Sequence, residues 1–368
     1  MALYDVVFEG GGAKGVAFAG ALEVFFGARH TIRRTIGTSA GAITAALVAA
    51  GFTPEEMKQV VTETLPSGEP RFTSFMDAPS ETDFSQADLD SSVTQEFLKK
   101  IDIPLVPKAA ERWMDRQLLG ALMNDKHFRK LFSFVEQGGF FSGAAFRQWM
   151  EEQLATKSFA PGITLGEFAA QAPIELSVVV SDTTNKEMLV LNSRTAPGVP
   201  VSWAVRMSMS IPFVWQEVEW QAAWGPYRGR DKSGAMIVDG GVLSNFPINL
   251  LDNPVGDEQA EIAGDHDPAG ALNLGLLIDE ARSVAGQPEA AKQRKFPELR
   301  TVERTSRLVD TMRRASDNSM ILKYENDICR VPAKGFGTLE FDMKGARLDD
   351  FLGAARQAMS VHLGDNLT

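Results

Sequence analysis

Cysteine is almost missing from this 368-residue chain, with Cys329 standing alone. A single thiol excludes an intramolecular disulfide framework and a cysteine-ligated zinc site, and it suits a reducing compartment. Histidine is scarce as well, at four residues. No histidine–carboxylate cluster has metal-ligand spacing and no calcium loop is visible, so neither a metal nor another cofactor is expected. Positive charge is in deficit. A formal net charge of −11 excludes a general nucleic-acid binder, which needs a basic footprint, and argues against adhesion to anionic membranes through overall charge. No uninterrupted apolar run is long enough to span a bilayer. The opening Met1–Phe8 runs straight into a strand without a basic leader or a signal-like apolar core. A cytoplasmic protein is the default expectation, with leaderless secretion left open.

What is present reads as alternating strands and helices. Leu3 to Phe8 is rich in β-formers, Val16 to Ala28 has helical spacing, Arg33 to Ile36 is a short strand, and Ala40 to Ala50 is a helix of small residues. Thr53-Pro54-Glu55-Glu56 opens another helix with a cap, a proline at the first position and acids in the first turn. Pro66 to Ser92 dissolves into a long loop, a functional flap or a mobile excursion, in which Phe72, Phe75 and Phe84 are candidates to cover a site. Helical segments run from about Thr94 to Leu154. Ile174 to Val180, Glu187 to Leu191, Met236 to Val238 and Ala271 to Ile278 are strands, and two amphipathic helices, about 298–324 and 348–363, close the chain. This order predicts an α/β fold whose mostly parallel sheet is covered on both faces, with its site at the carboxyl ends of strands. Lysines and arginines at 99, 100, 108, 112, 116, 126, 129 and 130 crowd one region, but interleaved acids give it the look of an ordinary solvated surface.

Two motifs carry chemistry. Gly37-Thr38-Ser39-Ala40-Gly41 has the G-x-S-x-G form of a nucleophile elbow, in which serine sits on a tight strand-to-helix turn and flanking glycines let backbones pass. Gly10-Gly11-Gly12-Ala13-Lys14-Gly15 is a turn of bare backbone N–H groups suited to an oxyanion. Gly10, Gly12 and Gly15 also fit the dinucleotide fingerprint. That reading needs an acid at the end of the second strand, and this strand ends in Gly37-Thr38-Ser39 instead. A Walker A loop is excluded because Val16 stands where lysine is required.

A base for Ser39 is harder to find. A hydrolase triad wants an acid and then a histidine after the serine. Nothing local marks His30, His127, His266 or His362 as functional. Asp239 is the better candidate. It closes a hydrophobic strand and is followed by Gly240-Gly241, which leaves its surroundings open to close backbone approach. Trp203, Trp215, Trp220 and Trp224 fall just before that strand with Met207, Met209 and Phe213 among them. They read as core packing in the main, or as an acyl pocket or membrane-touching rim.

The glycine turn, the elbow, Asp239-Gly240-Gly241, Pro247 and the run Ser208-Met209-Ser210-Ile211-Pro212-Phe213 together resemble the patatin-like phospholipase family over about residues 3–280. The resemblance implies a three-layer α/β/α fold and a lipid acyl hydrolase working through a Ser-Asp dyad. In that reading Ser39 is the nucleophile, Asp239 its base, Gly11 and Gly12 the oxyanion donors, and Lys14 a source of positive charge near the phosphate or oxyanion. The implied substrate is a glycerophospholipid or another lipid ester, with peripheral membrane contact. A carboxylesterase, an acyltransferase or an effector that needs an activating partner are the alternatives. The expected organisation is a catalytic domain over 1–280, with a helical and loop insertion at about 66–155, and a helical C-terminal region over 281–368 packed on it.

Overall fold

The computed structural model describes residues 1–99, 119–252, 258–264, 270–289 and 320–365. Its frame is one eight-stranded sheet. The strands are β1 (Leu3–Phe8), β2 (Thr31–Thr38), β4 (Glu175–Asp182), β5 (Glu187–Leu191), β7 (Val218–Glu219), β8 (Met236–Asp239), β9 (Ala271–Ser283) and β10 (Ile328–Lys334). Their order is β10-β9-β1-β2-β4-β8-β7, and β5 pairs with β4 off this path. The first five of that series run parallel, while β5, β7 and β8 are antiparallel additions. The architecture is therefore α/β around a mixed, mostly parallel sheet. A separate two-stranded pair joins β3 (Gly139–Phe141) to β6 (Phe213–Trp215).

Both faces of the central strands are buried, and so β1 and β4 carry apolar runs, Val6–Phe8 and Val178–Val180, rather than an alternating pattern. The Phe18–Gly27 helix and the C-terminal helix Ala346–Asp365 pack together on this sheet. The Thr53 signal is realised in full. Its hydroxyl accepts from Glu56 N, and the Glu56 carboxylate accepts from Thr53 N, at the head of the Pro54–Thr62 helix.

The C-terminal part supplies a strand as well as a helix, since β10 extends the sheet beyond β9. Most of the helix expected over 298–324 lies outside the described residues, as do Lys100 to Arg116 and His266. Among the described residues no helix is long and apolar enough to cross a membrane.

Candidate active site

The register of β4 sets the site. On one edge of β4, Val178 to Asp182 pair with β5. The other edge is shared. β2 occupies it as far as Thr38 opposite Val179, and β8 takes over with Asp239 opposite Val180. Since β8 runs antiparallel, β2 and β8 meet with their carboxyl ends facing one another, and Ser39 and Asp239 stand at the junction. A Cβ built on Gly240 would lie 3.1 Å from Thr38 Cγ2, a measure of how close the two chain ends come.

Ser39 is 1% exposed and has φ 54° and ψ −124°, a conformation that only glycine adopts cheaply. Strain of this kind is what a nucleophile elbow imposes, because the chain must reverse from β2 into the Ala40–Ala49 helix within one residue. The reversal is tight. A Cβ at Gly37 would strike the Gly41 carbonyl, and one at Gly41 would strike the carbonyl of Phe8. Ser39 then caps the helix through its carbonyl, which accepts from Ala42 N at 2.9 Å. The positive end of the helix therefore lies beside the hydroxyl.

Ser208 holds the elbow from the other side. Its hydroxyl accepts from Ser39 N at 2.8 Å and donates to Val179 O at 2.7 Å. It thereby replaces the ladder bond that β2 would have made to β4 one residue further on. Two residues later Ser210 O accepts from Asp239 N at 2.9 Å. One short segment thus grips the backbones of both Ser39 and Asp239. Beneath it lies the buried Arg206, which donates to Ser210 Oγ, to Ser142 O at 2.8 Å and to Gln216 O at 3.0 Å. Burial pulls its guanidinium down to about 10, partly countered by Asp77, so it stays charged at neutral pH. The Asp239 carboxylate is itself fixed by Gly241 N, which donates to Oδ1 at 2.7 Å.

The glycine loop lies against this corner. The Cβ position of Gly10 is 3.1 Å from Ser39 Cβ. Gly10 N donates to Asn245 O, Ala13 N to Thr338 O and Lys14 N to Gly11 O, at 3.1, 2.8 and 3.2 Å. Among the described residues the N–H groups of Gly11 and Gly12 have no such acceptor, and these are the two that the family resemblance implies as oxyanion donors. Gly12 has φ +55° and no room for a Cβ beneath Thr338. Asn245 Nδ2 donates to Gly10 O at 2.9 Å and Glu9 Oε1 at 3.0 Å, tying the segment after Asp239 to the loop. Lys14, expected as a source of positive charge near the oxyanion, lies within this loop. It is buried, not an exposed turn residue, and its ammonium is ion-paired with Glu280.

An apolar crevice opens between the two motifs. Gly12, Ala13, Gly15 and Val16 line one side and Ala40, Ile43, Thr44 and Leu47 the other, with Met57, Val60, Phe72, Phe75 and Phe341 closing it. The cavity within is about 50 Å³. Phe72 and Phe75 of the expected flap are here, whereas Phe84 packs in a separate cluster with Leu119, Met123 and Phe132. Trp215, Trp220 and Trp224 are buried in the core and do not border the crevice. His30 accepts from Ala2 N and packs edge-on against Tyr4, far from Ser39 along the sheet. The sequence reading missed the parts played by Ser208, Asn245, Thr338 and Phe341. Only the first two lie near a motif that could have pointed to them.

Residues 6–252 match the family model described as patatin-like phospholipase. Over 349 residues the chain is 27% identical to the uncharacterized protein YqhO of Bacillus subtilis, covering 92% of this chain and 90% of that one. Among solved structures it superposes on VipD from Legionella pneumophila with a TM-score of 0.51 at 16% identity, covering 98% of this chain and 67% of VipD. ExoU, in its complex with SpcU from the type III secretion system of Pseudomonas aeruginosa, gives 0.41 at 18% identity, with 99% and 51% covered. With the family model matched over two thirds of its length, the chain belongs to the patatin-like phospholipase family.

Proposed function

We propose that this protein is a metal-independent serine acyl hydrolase that releases fatty acids from glycerophospholipids, as a phospholipase A or lysophospholipase. The observation that carries the reading is the head-to-head meeting of β2 and β8 along one edge of β4, with serine and aspartate at the junction. Ser39 Oγ attacks the ester carbonyl while Asp239 takes its proton, and the leaving alcohol recovers that proton. The oxyanion is held by the N–H groups of Gly11 and Gly12. Asp239 then deprotonates a water that cleaves the acyl-enzyme. The crevice beside Ala40 and Gly12 takes the acyl chain, since its walls are apolar and both motifs border it.

The test is hydrolysis of phospholipid vesicles and of soluble esters by wild type, Ser39→Ala and Asp239→Asn. Both variants are expected to fold and to lose activity, Asp239→Asn by about 10²–10⁴-fold, the usual contribution of a positioned base. Full activity in either variant overturns the dyad. The narrowness of the crevice favours a second reading. A cavity of about 50 Å³ suits a short acyl chain better than a long one, and hence a general carboxylesterase. A series of esters of rising chain length separates the two. A peak at short chains and no vesicle hydrolysis would favour the esterase.

A further inference from the structure

The Lys126–Glu136 helix, absent from every step above, presents an apolar face to solvent. At 3.6 residues per turn, Lys126, His127, Lys130, Leu131, Phe134 and Val135 share one half of it. The other half, with Phe128, Phe132 and Ser133, packs inward, with Phe132 in a cluster with Phe84 and Met123. Leu131 is 54% and Val135 50% exposed. Beside them stands Phe213, 38% exposed, its ring 6.0 Å from that of Phe134. Phe134 is in turn stacked on Phe140 at 4.4 Å. Phe213 has φ 68°, a left-handed conformation costly for an aromatic residue, and it is pinned there by its N–H bond to Gly138 O at 3.0 Å.

The charges that the helix itself carries on this face are positive. The helix's acids are engaged at its ends. Asp125 caps the N-terminus, accepting from His127 N and Phe128 N at 2.9 Å, and Glu136 accepts from Val93 N and Thr94 N. Arg129 turns inward onto Pro79 O and Met123 O. Lys126 and Lys130 make no ion pair with any described residue, and Lys130 lies over the Phe141 ring. An apolar stripe edged by lysines on a protein of net charge −11 is matched by a bilayer containing anionic headgroups.

The face is also fastened to the site. Ser133 Oγ donates to Gly139 O on β3, β3 pairs with β6, and Gln216 Nε2 donates to Ser133 Oγ at 2.9 Å. Phe213 lies three residues after Ser210, whose carbonyl receives Asp239 N, so at most about 10 Å of chain separates the exposed ring's backbone from the acid strand.

We propose that the outer face of the Lys126–Glu136 helix, together with Phe213, is the surface on which this protein sits on a phospholipid bilayer. Leu131, Val135 and Phe213 enter the acyl boundary while Lys126 and Lys130 lie among the headgroups. The proposal rests on the acyl-hydrolase reading for its purpose, and its test does not need that activity. Full-length Ser39→Ala protein is sedimented with vesicles of phosphatidylcholine, with and without 30% phosphatidylglycerol. It is expected to bind, and to bind more tightly with phosphatidylglycerol present. Adding Leu131→Glu and Val135→Glu should lower partitioning at least tenfold, and adding Lys126→Gln and Lys130→Gln should remove the gain from phosphatidylglycerol. Thermal melts check folding, and a Leu131→Ser, Val135→Ser pair stands in should the glutamates disturb it. Undiminished binding by the folded apolar variants overturns the proposal. So does a concentration-dependent dimer, seen by light scattering, that those variants abolish, since a second copy would then be what covers the face. Should ester hydrolysis fail in the wild type while vesicle binding follows this pattern, the hydrolase reading falls and the surface stands.

Discussion

The corner where β2 meets β8 and the rim helix Lys126–Glu136 are built to opposite rules. At the corner nothing has slack: Ser39 is buried in a strained conformation, glycines pack against carbonyls, and Ser208 bonds to two backbones at once. At the rim, large apolar side chains stand in water and two lysines lack an ionic partner among the described residues. The corner spends conformational strain to place one hydroxyl, in keeping with the way strain collects at functional sites. The rim gives up burial that its side chains would otherwise gain. On the readings proposed above, chemistry and recruitment would occupy separate parts of one fold, linked through β3, β6 and the Ser208–Ser210 segment.

Substitutions sharpen the contrast, beginning where the packing is least forgiving. Gly41→Ala drives a Cβ into the Phe8 carbonyl, which belongs to the central strand and cannot move aside. The expected loss is upward of about 4 kcal/mol, at the exceptional end for a single change, and chemical denaturation reads it.

Lys232→Met asks whether the rigidity of the corner extends along β4. Lys232 is buried between Asp182, at 2.8 Å, and Glu187, just before β8 begins. Its removal leaves the Asp182 charge uncompensated and is expected to cost about 3 kcal/mol. The pH dependence follows from the same pair. Burial works to raise the Asp182 pKa, but bonds from Lys232 and Asn185 win and hold it below the usual value. That stability is present above the unfolded value near 4 and is lost as pH falls through the folded one. Burial works to lower the Lys232 pKa, but its two carboxylates raise it. Its share is present below the unfolded value of about 10.4 and is lost as pH rises through the folded one. Urea midpoints across pH should therefore show a plateau in the wild type. In Lys232→Met the plateau is lower, the acid-side loss owed to Asp182 shrinks or reverses because protonation then relieves an unpaired buried charge, and the alkaline loss owed to Lys232 disappears.

Ser208→Ala strips partners from Ser39 N and Val179 O and should cost about 2 kcal/mol. Its sharper signature is kinetic. A displaced elbow lowers kcat about 10- to 100-fold with KM nearly constant, whereas a purely structural loss would leave the kcat of folded molecules alone. Ser208→Thr keeps the hydroxyl and is expected to recover part of the rate. Smallest of all, Leu131→Glu at the rim should shift stability by no more than about 0.5 kcal/mol. A loss there comparable to that at Gly41 would erase the distinction between the two regions.

Much of the corner was legible in the sequence. Close backbone approach leaves a local trace, because glycine must stand wherever a Cβ has no room, and Gly37, Gly41 and Gly240 mark such places. The parallel core was legible for a related reason: short apolar runs such as Val6–Phe8 and Val178–Val180 mark strands buried on both faces. What the sequence concealed depends on contacts between distant segments. Ser208 lies 169 residues from Ser39, and its role follows only from the registers of β2 and β4. Thr338 and Phe341 reach the glycine loop and the crevice from beyond β10, with no local pattern to announce them. Lys14 is paired with Glu280, 266 residues away, a contact that no local pattern announces. The tryptophans show the converse. Core packing is the main reading of the four in one short segment, and Trp215, Trp220 and Trp224 are buried, while the exposed aromatic among them is Phe213.

The most direct measurement is the rate at which a fluorophosphonate, which phosphonylates activated serines, modifies the intact protein, followed by peptide mapping. One adduct on the peptide carrying Ser39 is expected, none in Ser39→Ala, and a rate at least 100-fold slower in Asp239→Asn. Modification of a different serine, or an unchanged rate in Asp239→Asn, would contradict the pairing of that hydroxyl with that carboxylate.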